Sequence, residues 1–499
     1  MTKRFWIVAF AILLVGAILR FVNLNSIPIF ADEAIYVRWS QVMRAESTLR
    51  FLPLSDGKQP LFMWATIPFL KIFKQDPLLA GRVLSGLCGL ASILGVGVAA
   101  YLIFKNPRQT LLTGAIYAIL PYAIFFDRMA LADSMLTMFL IWTFVFSYLS
   151  IQKLRLDFAM IAGFTLGFAW LTKSPAIFAL GLLPLNLLFL PKYTLKNLLM
   201  AIGYLLTTIA IAFGMYNILR LGPEFHMIAI RNADYLFPLS EILKHPTDPF
   251  IPHLKDSFQF YFYLATPVGL LMGLMGVLAG KFSHWKARLL LLAWWMGPVF
   301  VESAIARQFT ARYILFTIPF CVLLIGHALE HFGQHSRSHL LSIAGGILII
   351  VPGLVFSYLL AFNPQNFPLP KNERSGYLEE WTAGYGLKDV SARIREYAKA
   401  GPVVVGSEGF FGTPFDALAL YLNDLPNVRV IGVGVWIDSV HEKLTNSLVD
   451  NQVFLIVNSS RFHTDPQKIG LKLISSYQKA TPSVGLPEQL LFFQVPPTK

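Results

Sequence analysis

Eleven apolar runs occupy 5–22, 78–104, 110–126, 134–151, 158–172, 175–191, 197–219, 258–280, 288–302, 309–329 and 339–361. A helix of about 20 largely apolar residues crosses the hydrocarbon core of a bilayer, and most of these runs reach or approach that length. The pattern predicts about eleven membrane-spanning helices. The apolar stretch at 61–73 is too short to span comfortably and ends in Lys71 and Lys74, so it is expected to lie in the membrane interface. The first run follows Lys3 and Arg4 and is not followed by a small-residue cleavage site, which predicts a retained helix rather than a signal peptide.

Loops on the cytoplasmic side of a membrane protein collect Lys and Arg. With the N-terminus placed in the cytoplasm, alternate loops hold Lys105 and Arg108, Lys153 and Arg155, Lys192 and Lys196, the group Lys281, Lys286 and Arg288, and Arg337. These loops are short and basic. The opposite loops are expected at 23–77, 127–133, 173–174, 219–257 and 303–308; 23–77 and 219–257 are long, and 127–133 carries acids. Eleven spans then leave the C-terminus outside.

From 362 onward polar residues return, and five strand-like runs appear at 403–407, 428–434, 452–458, 472–477 and 490–495. Helical stretches at 414–423 and 437–449 alternate with the first three, which predicts an α/β domain. The expected architecture is a polytopic α-helical membrane domain over 1–361 and a soluble, extracytoplasmic α/β domain over 362–499. The segment GSEGFFG, at 406–412, does not complete a nucleotide-binding fingerprint and is expected to be a solvent loop. No internal repeat or low-complexity tract is present.

Composition agrees with a membrane protein: 55% of residues are hydrophobic and 14% charged, where a soluble domain carries about a quarter charged residues. The net charge of +13 is spread between apolar runs rather than gathered in a patch, so it reads as a topology signal and not as a nucleic-acid surface. Cys88 and Cys321 both lie within apolar runs and are expected to be small core residues.

Ionisable residues near membrane depth are costly and mark function. Here they gather at the outer helix ends and in the outer loops: Asp32, Glu33, Arg38, Lys58, Asp127, Arg128, Asp133, Lys173, Glu302, Arg307 and Arg312. Transporters more often place such groups at the midplane, beside broken helices. In IFADEAIYVRWSQVM, Asp32 suits an N-cap of a helix over 34–43, and equally a general base held at the membrane face. Lys58, in SDGKQPLFMWATIPFLKIF, precedes the interfacial helix; a compact cation there either snorkels to the headgroups or binds a lipid phosphate. In FFDRMALADSMLTMF, Asp127, Arg128 and Asp133 fall close together, and Asp133 opens the next span, where it either caps the helix or serves a site.

The order of these segments resembles the GT-C glycosyltransferase superfamily, and within it the branch of protein O-mannosyltransferases and aminoarabinose transferases acting on lipid A. GFAWLTKSPA is similar to that branch's Gly-x-x-x-Leu-Thr-Lys-Gly-Pro motif, with Ser174 in the usual glycine position, and ARYILFTIPF to its Arg-Tyr-x-Leu-x-x-x-Pro segment. The likeness covers 1–361, and a C-terminal extracytoplasmic domain is common in the branch. It implies a GT-C fold and a sugar moved from a polyprenyl-phosphate donor to an acceptor hydroxyl on the outer membrane face, usually with inversion. It places the general base at Asp32 with Glu33 beside it, the second acidic position at Asp133, and a donor-phosphate cation at Lys58. Arg128 and Arg312 are further phosphate candidates by their outer-end position, and Arg231 in IAIRNADYLF a weaker one.

Lys58-Gln59-Pro60 stands where the protein O-mannosyltransferases carry His-Pro-Pro, which favours the aminoarabinose-transferase side. His226, His245 and His253 are irregularly spaced, and a metal site there is not expected, although the superfamily leaves a divalent metal open. The implied partners are the polyprenyl-phosphate sugar donor, a protein, lipid or glycan acceptor, and membrane lipids, with no nucleic acid. The competing readings are a transporter or flippase for a lipid-linked sugar, and a non-catalytic protein that binds glycans through the α/β domain.

Overall fold

The computed structural model describes residues 2–280, 284–334 and 338–497; Lys281 and Arg337 of the expected inner loops lie outside them. Helix α1 (Lys3–Phe21) carries Trp6, Ile7, Phe10 and Leu14 on its exposed side, as a helix facing lipid does. After a two-residue strand β1 (Ile29–Phe30) come α2 (Ala31–Ala45) and α3 (Leu61–Ile72), neither of which is long enough to span. The bundle continues with α4 (Pro77–Phe104), α5 (Pro107–Ile119), α6 (Pro121–Asp127), α7 (Ala132–Lys153) and α8 (Leu156–Thr172). Beyond these lie the apolar helices Leu195–Leu221, Trp285–Ile305, Ala311–Gly333 and His339–Phe362.

Among the described residues, seven helices are long and apolar enough to cross a membrane, or nine when each bent pair counts as one span. The chain is thus a multi-pass membrane protein, but the expected count of eleven is not established. The two bent pairs are α5 with α6, at 54°, and Phe250–Ala265 with Pro267–Leu278, at 109°. The runs expected at 158–172 and 175–191 fall on the shorter helices Leu156–Thr172 and Ser174–Phe189. The first bend has a local cause: Pro121 opens α6, and the residue before a proline is driven out of the helical region, as Leu120 is at ψ 124°.

The basic loops gather at one end of the bundle, where Lys286 donates to the Tyr193 hydroxyl (3.1 Å) and Arg108 pairs with Glu330 (3.6 Å). The C-terminal sheet domain sits at the other. Strand β2 (Ala383–Gly384) pairs antiparallel with β1. A five-stranded sheet then forms from β3 (Val403–Ser407), β4 (Val428–Gly432), β5 (Gln452–Asn458), β6 (Lys472–Gln478) and β7 (Gln489–Val495), in the order β4-β3-β5-β7-β6. The first three strands run parallel, and β7 joins β5 and β6 antiparallel. The sheet is therefore mixed, which alternation of strands and helices alone did not reveal. One apolar core runs from the bundle through α2 and α3 into one face of this sheet, while Val404, Leu444, Val453, Leu455 and Phe493 build a separate core on the other face.

Candidate active site between the bundle and the C-terminal domain

Helix α2 begins three residues earlier than expected, so its acids lie inside the first turn rather than at the cap. Phe30 is the N-cap residue. Glu33, at the third helical position, returns to accept the Phe30 backbone N–H at 3.0 Å. Its oxygens also accept Arg82 Nε (2.8 Å), Arg82 Nη2 (2.7 Å) and the Ala130 N–H (2.7 Å). Glu33 and Arg82 are both fully buried, and Arg82 in turn donates to the carbonyls of Leu24, Ile27 and Pro28. Every lone pair that could serve chemistry is occupied. This acid ties the first loop to α4 and to the α6–α7 turn, away from the open cluster.

Asp32 faces the other way. Its Oδ2 accepts Arg312 Nη1 at 2.5 Å, and its Oδ1 lies 3.8 Å from Lys58 Nζ. Burial acts to raise the Asp32 carboxyl, but Arg312, Lys58 and Lys173 prevail and hold it well below the usual carboxylate range. Lys58 also meets Asp56 Oδ2 at 3.1 Å, and Asp56 is anchored by Arg231 Nη2 at 2.9 Å. Burial works against the Lys58 ammonium, yet Tyr36, Asp32 and Asp56 leave it more firmly protonated than a free lysine. Tyr36 and Trp39, one turn apart on α2, present their rings to Lys58 Nζ at 5.3 and 5.6 Å.

Asp133 completes the group. It lies in the first turn of α7, where Leu131 is the N-cap, so its carboxylate is free of a capping role. It accepts Lys173 Nζ at 2.5 Å, and that ammonium sits 4.5 Å from the Tyr313 ring. Arg312 lies over the same ring at 5.4 Å. Two segments distant in sequence are stitched beside each other here: Gln59 Nε2 donates to Ser174 Oγ at 2.7 Å. The Lys58-Gln59-Pro60 and Lys173-Ser174-Pro175 segments thus form one wall. Ser174 fills the usual glycine position with a hydroxyl that this glutamine uses.

Of the residues expected in the site, the fold brings together Asp32, Lys58, Asp133 and Arg312. It does not bring Glu33 or Arg128. Arg128 is buried, and its guanidinium donates to the carbonyls of Leu19 (3.0 Å), Val22 (2.8 Å) and Asn23 (2.8 Å), which closes the end of α1. Asp127 is likewise used inside the bundle, paired with Arg20 at 2.8 Å. Asp56, Tyr36, Trp39 and Tyr313 join the cluster without having been singled out. Asp56 lies two residues before Lys58, but a lone acid in a long loop gives no sequence signal. Among the described residues no three His, Cys, Asp or Glu side chains are placed to hold a metal ion.

Residues 57–217 match the family described as dolichyl-phosphate-mannose-protein mannosyltransferase. That segment contains Lys58, Arg128, Asp133 and Lys173, but neither Asp32 nor Arg312. The crystal structure of ArnT from Cupriavidus metallidurans bound to undecaprenyl phosphate superposes with a TM-score of 0.62 at 15% identity, over 98% of each chain. Its apo structure gives 0.60 at 13%, over 98% of this chain and 97% of that one. The chain has the GT-C glycosyltransferase fold. The arabinofuranosyltransferase AftD from Mycobacteria shares it, with a TM-score of 0.51 at 14% identity, over all of this chain and 40% of AftD. No curated protein matches the chain in sequence. Within the GT-C fold the cluster lies where α2, the Lys58 loop and the first turn of α7 meet the C-terminal domain. The resemblance to the protein mannosyltransferase and aminoarabinose-transferase branch, expected from the motifs, is supported by the family match and the shared fold.

Proposed function

We propose that this protein transfers a sugar from a polyprenyl-phosphate donor to an acceptor hydroxyl on the outer face of the cell membrane, with inversion at the anomeric carbon. Residues 1–361 form the membrane domain and 362–499 an extracytoplasmic one, with the N-terminus in the cytoplasm. The observation that carries this reading is the position of the Asp32 carboxylate between two cations, Arg312 at 2.5 Å and Lys58 at 3.8 Å, at the end of the bundle opposite the basic loops.

In that reading Lys58 and Arg312 hold the donor phosphate. Leaving-group charge develops on the phosphate as the bond between its oxygen and the anomeric carbon breaks, and fixed cations stabilise it. The acceptor oxygen bonds the anomeric carbon from the opposite face, and its proton passes to Asp32. A carboxylate pinned by an arginine is a weak base. A donor phosphate that drew Arg312 and Lys58 to itself would release the Asp32 lone pair when the sugar arrives, coupling base strength to donor binding. Asp133, held by Lys173, orients a sugar or acceptor hydroxyl. ArnT was crystallised with undecaprenyl phosphate, which makes that lipid the first probe to use.

Asp32→Asn is expected to lower sugar transfer by roughly 10²–10⁴-fold, the range of general-base contributions, while undecaprenyl phosphate still binds. Wild-type transfer by the mutant would overturn the assignment. Passage of a lipid-linked sugar across vesicles without acceptor, undiminished in Asp32→Asn, would favour a flippase.

A further inference from the structure

The segment at 406–412, expected to be a solvent loop, is neither loose nor remote from the site. It leaves β3 at its C-terminal end and is pinned at each step. Glu408 is buried, and its carboxylate accepts the Asn458 backbone N–H (2.7 Å) and Asn458 Nδ2 (2.6 Å). Arg461 lies 3.8 Å from the same carboxylate and stacks on Trp381 at 4.0 Å. The Gly409 N–H donates to the Gly434 carbonyl (2.7 Å) and the Gly412 N–H to Asp416 Oδ2 (2.6 Å). Gly409 and Gly412 take φ of 67° and 77°, left-handed values that favour glycine, so the loop doubles back tightly. Between them it presents Phe410 and Phe411, 62% and 45% exposed.

This loop ends against the start of α2: a Cβ built on Gly412 would lie 3.6 Å from the Ala31 methyl, next to Asp32. The Phe411 ring lies 5.7 Å from the Trp39 ring and 6.0 Å from Lys58 Nζ. Three aromatic rings therefore surround the Lys58 ammonium: Tyr36 and Trp39 from the membrane-side helix, and Phe411 from the C-terminal domain. The hydrogen bonds on either side of this turn hold the Phe411 ring beside Lys58 with part of its surface exposed.

We infer that Phe411 is a specificity-determining residue that packs against the ring of the donor's sugar. The inference rests on Lys58 as the donor-phosphate cation. From a phosphate at Lys58 the donor extends in two directions. The isoprenoid must run into the bilayer beside the apolar helices. The sugar, one bond away on the other side, meets the wall supplied by the C-terminal domain. The axial C–H faces of a pyranose are apolar and stack on aromatic rings, while its hydroxyls remain free for Asp133 and its neighbours.

The test compares full-length wild type, Phe411→Ala, Phe411→Tyr and Lys58→Ala. The probes are bare undecaprenyl phosphate and undecaprenyl phosphate carrying a hexose, a pentose or an aminopentose. Some sugar-bearing lipid should bind wild type more tightly than the bare lipid. Phe411→Ala should weaken that lipid about five- to tenfold, in the range of aromatic packing contributions, and bare-lipid binding several-fold less, with the protein still folded. Phe411→Tyr, which keeps the ring, should restore it. Equal loss for both kinds of lipid, loss for neither, or no preference of wild type for any sugar would overturn the inference. Lys58→Ala should weaken all the lipids together. If it does not, the phosphate assignment falls, and that failure is visible whatever Phe411 does.

Discussion

Asp32 and Glu33 are adjacent in the chain and differ in everything that follows from where their side chains point. Successive helical residues are turned by about 100° from each other, so one carboxylate enters the protein and the other the open cluster. Glu33 accepts four hydrogen bonds and is sealed with Arg82. Removing one member of a buried pair leaves the other charge uncompensated, at a cost of roughly 3–5 kcal/mol. Glu33→Ala is therefore expected to lower the melting temperature of the detergent-solubilised protein markedly, and Asp32→Asn far less. A Glu33→Ala protein as stable as wild type but inactive would return Glu33 to the chemistry. The sequence displayed both acids equally. What it lacked was Arg82, whose partner is 49 positions away.

At the scale of elements, the segment that follows His339–Phe362 positions the site. Strand β2 pairs with β1 immediately before Asp32, and the Ala31 N–H donates to the Thr382 carbonyl at 3.1 Å. The short helix Lys371–Arg374 does the same for Arg312: Glu373 accepts the Ala311 N–H at 2.8 Å. Burial pushes the Glu373 carboxyl up to about 7, against the pull of the Ala311 N–H and of Arg312. In an unfolded chain it titrates near its ordinary value of about 4.3. Between those values the folded state holds a proton that the unfolded state has lost, so stability from this group falls as pH rises through that window and is level above about 7. Glu373→Gln, which keeps an acceptor for Ala311, should flatten that part of the profile of melting temperature against pH. An unchanged slope would show that Glu373 does not titrate there. The five strands of the C-terminal sheet were legible in sequence within a residue or two, because most are short apolar or β-branched runs between turn residues, whereas the two-residue β2 was not. The helix Leu387–Ala398 was not singled out, although Leu387, Val390, Ile394 and Ala398 recur at helical spacing along its buried side.

At the scale of the whole molecule, one end of the bundle is basic and the other holds the cluster under the C-terminal domain. The proposed orientation puts Val449, 85% exposed, outside, and Lys153, in a basic turn, inside. Both native cysteines are buried, so single Val449→Cys and Lys153→Cys variants report position against a silent background. In intact cells a membrane-impermeant maleimide should label the first and spare the second until the cells are opened. The reverse pattern would invert the topology. The sequence by itself determined the membrane class, the apolar runs, the asymmetry of charge and the α/β character of the C-terminal part. These follow from hydropathy, periodicity and local turn chemistry, which act over a few residues at a time. Only the tertiary structure decided which charges meet: that Asp32 joins Arg312 across 280 positions while Glu33 and Arg128 are spent on backbone and buried partners, and that a turn between two glycines reaches Lys58. A buried charge must find its partner wherever the fold supplies one, and that search is not local.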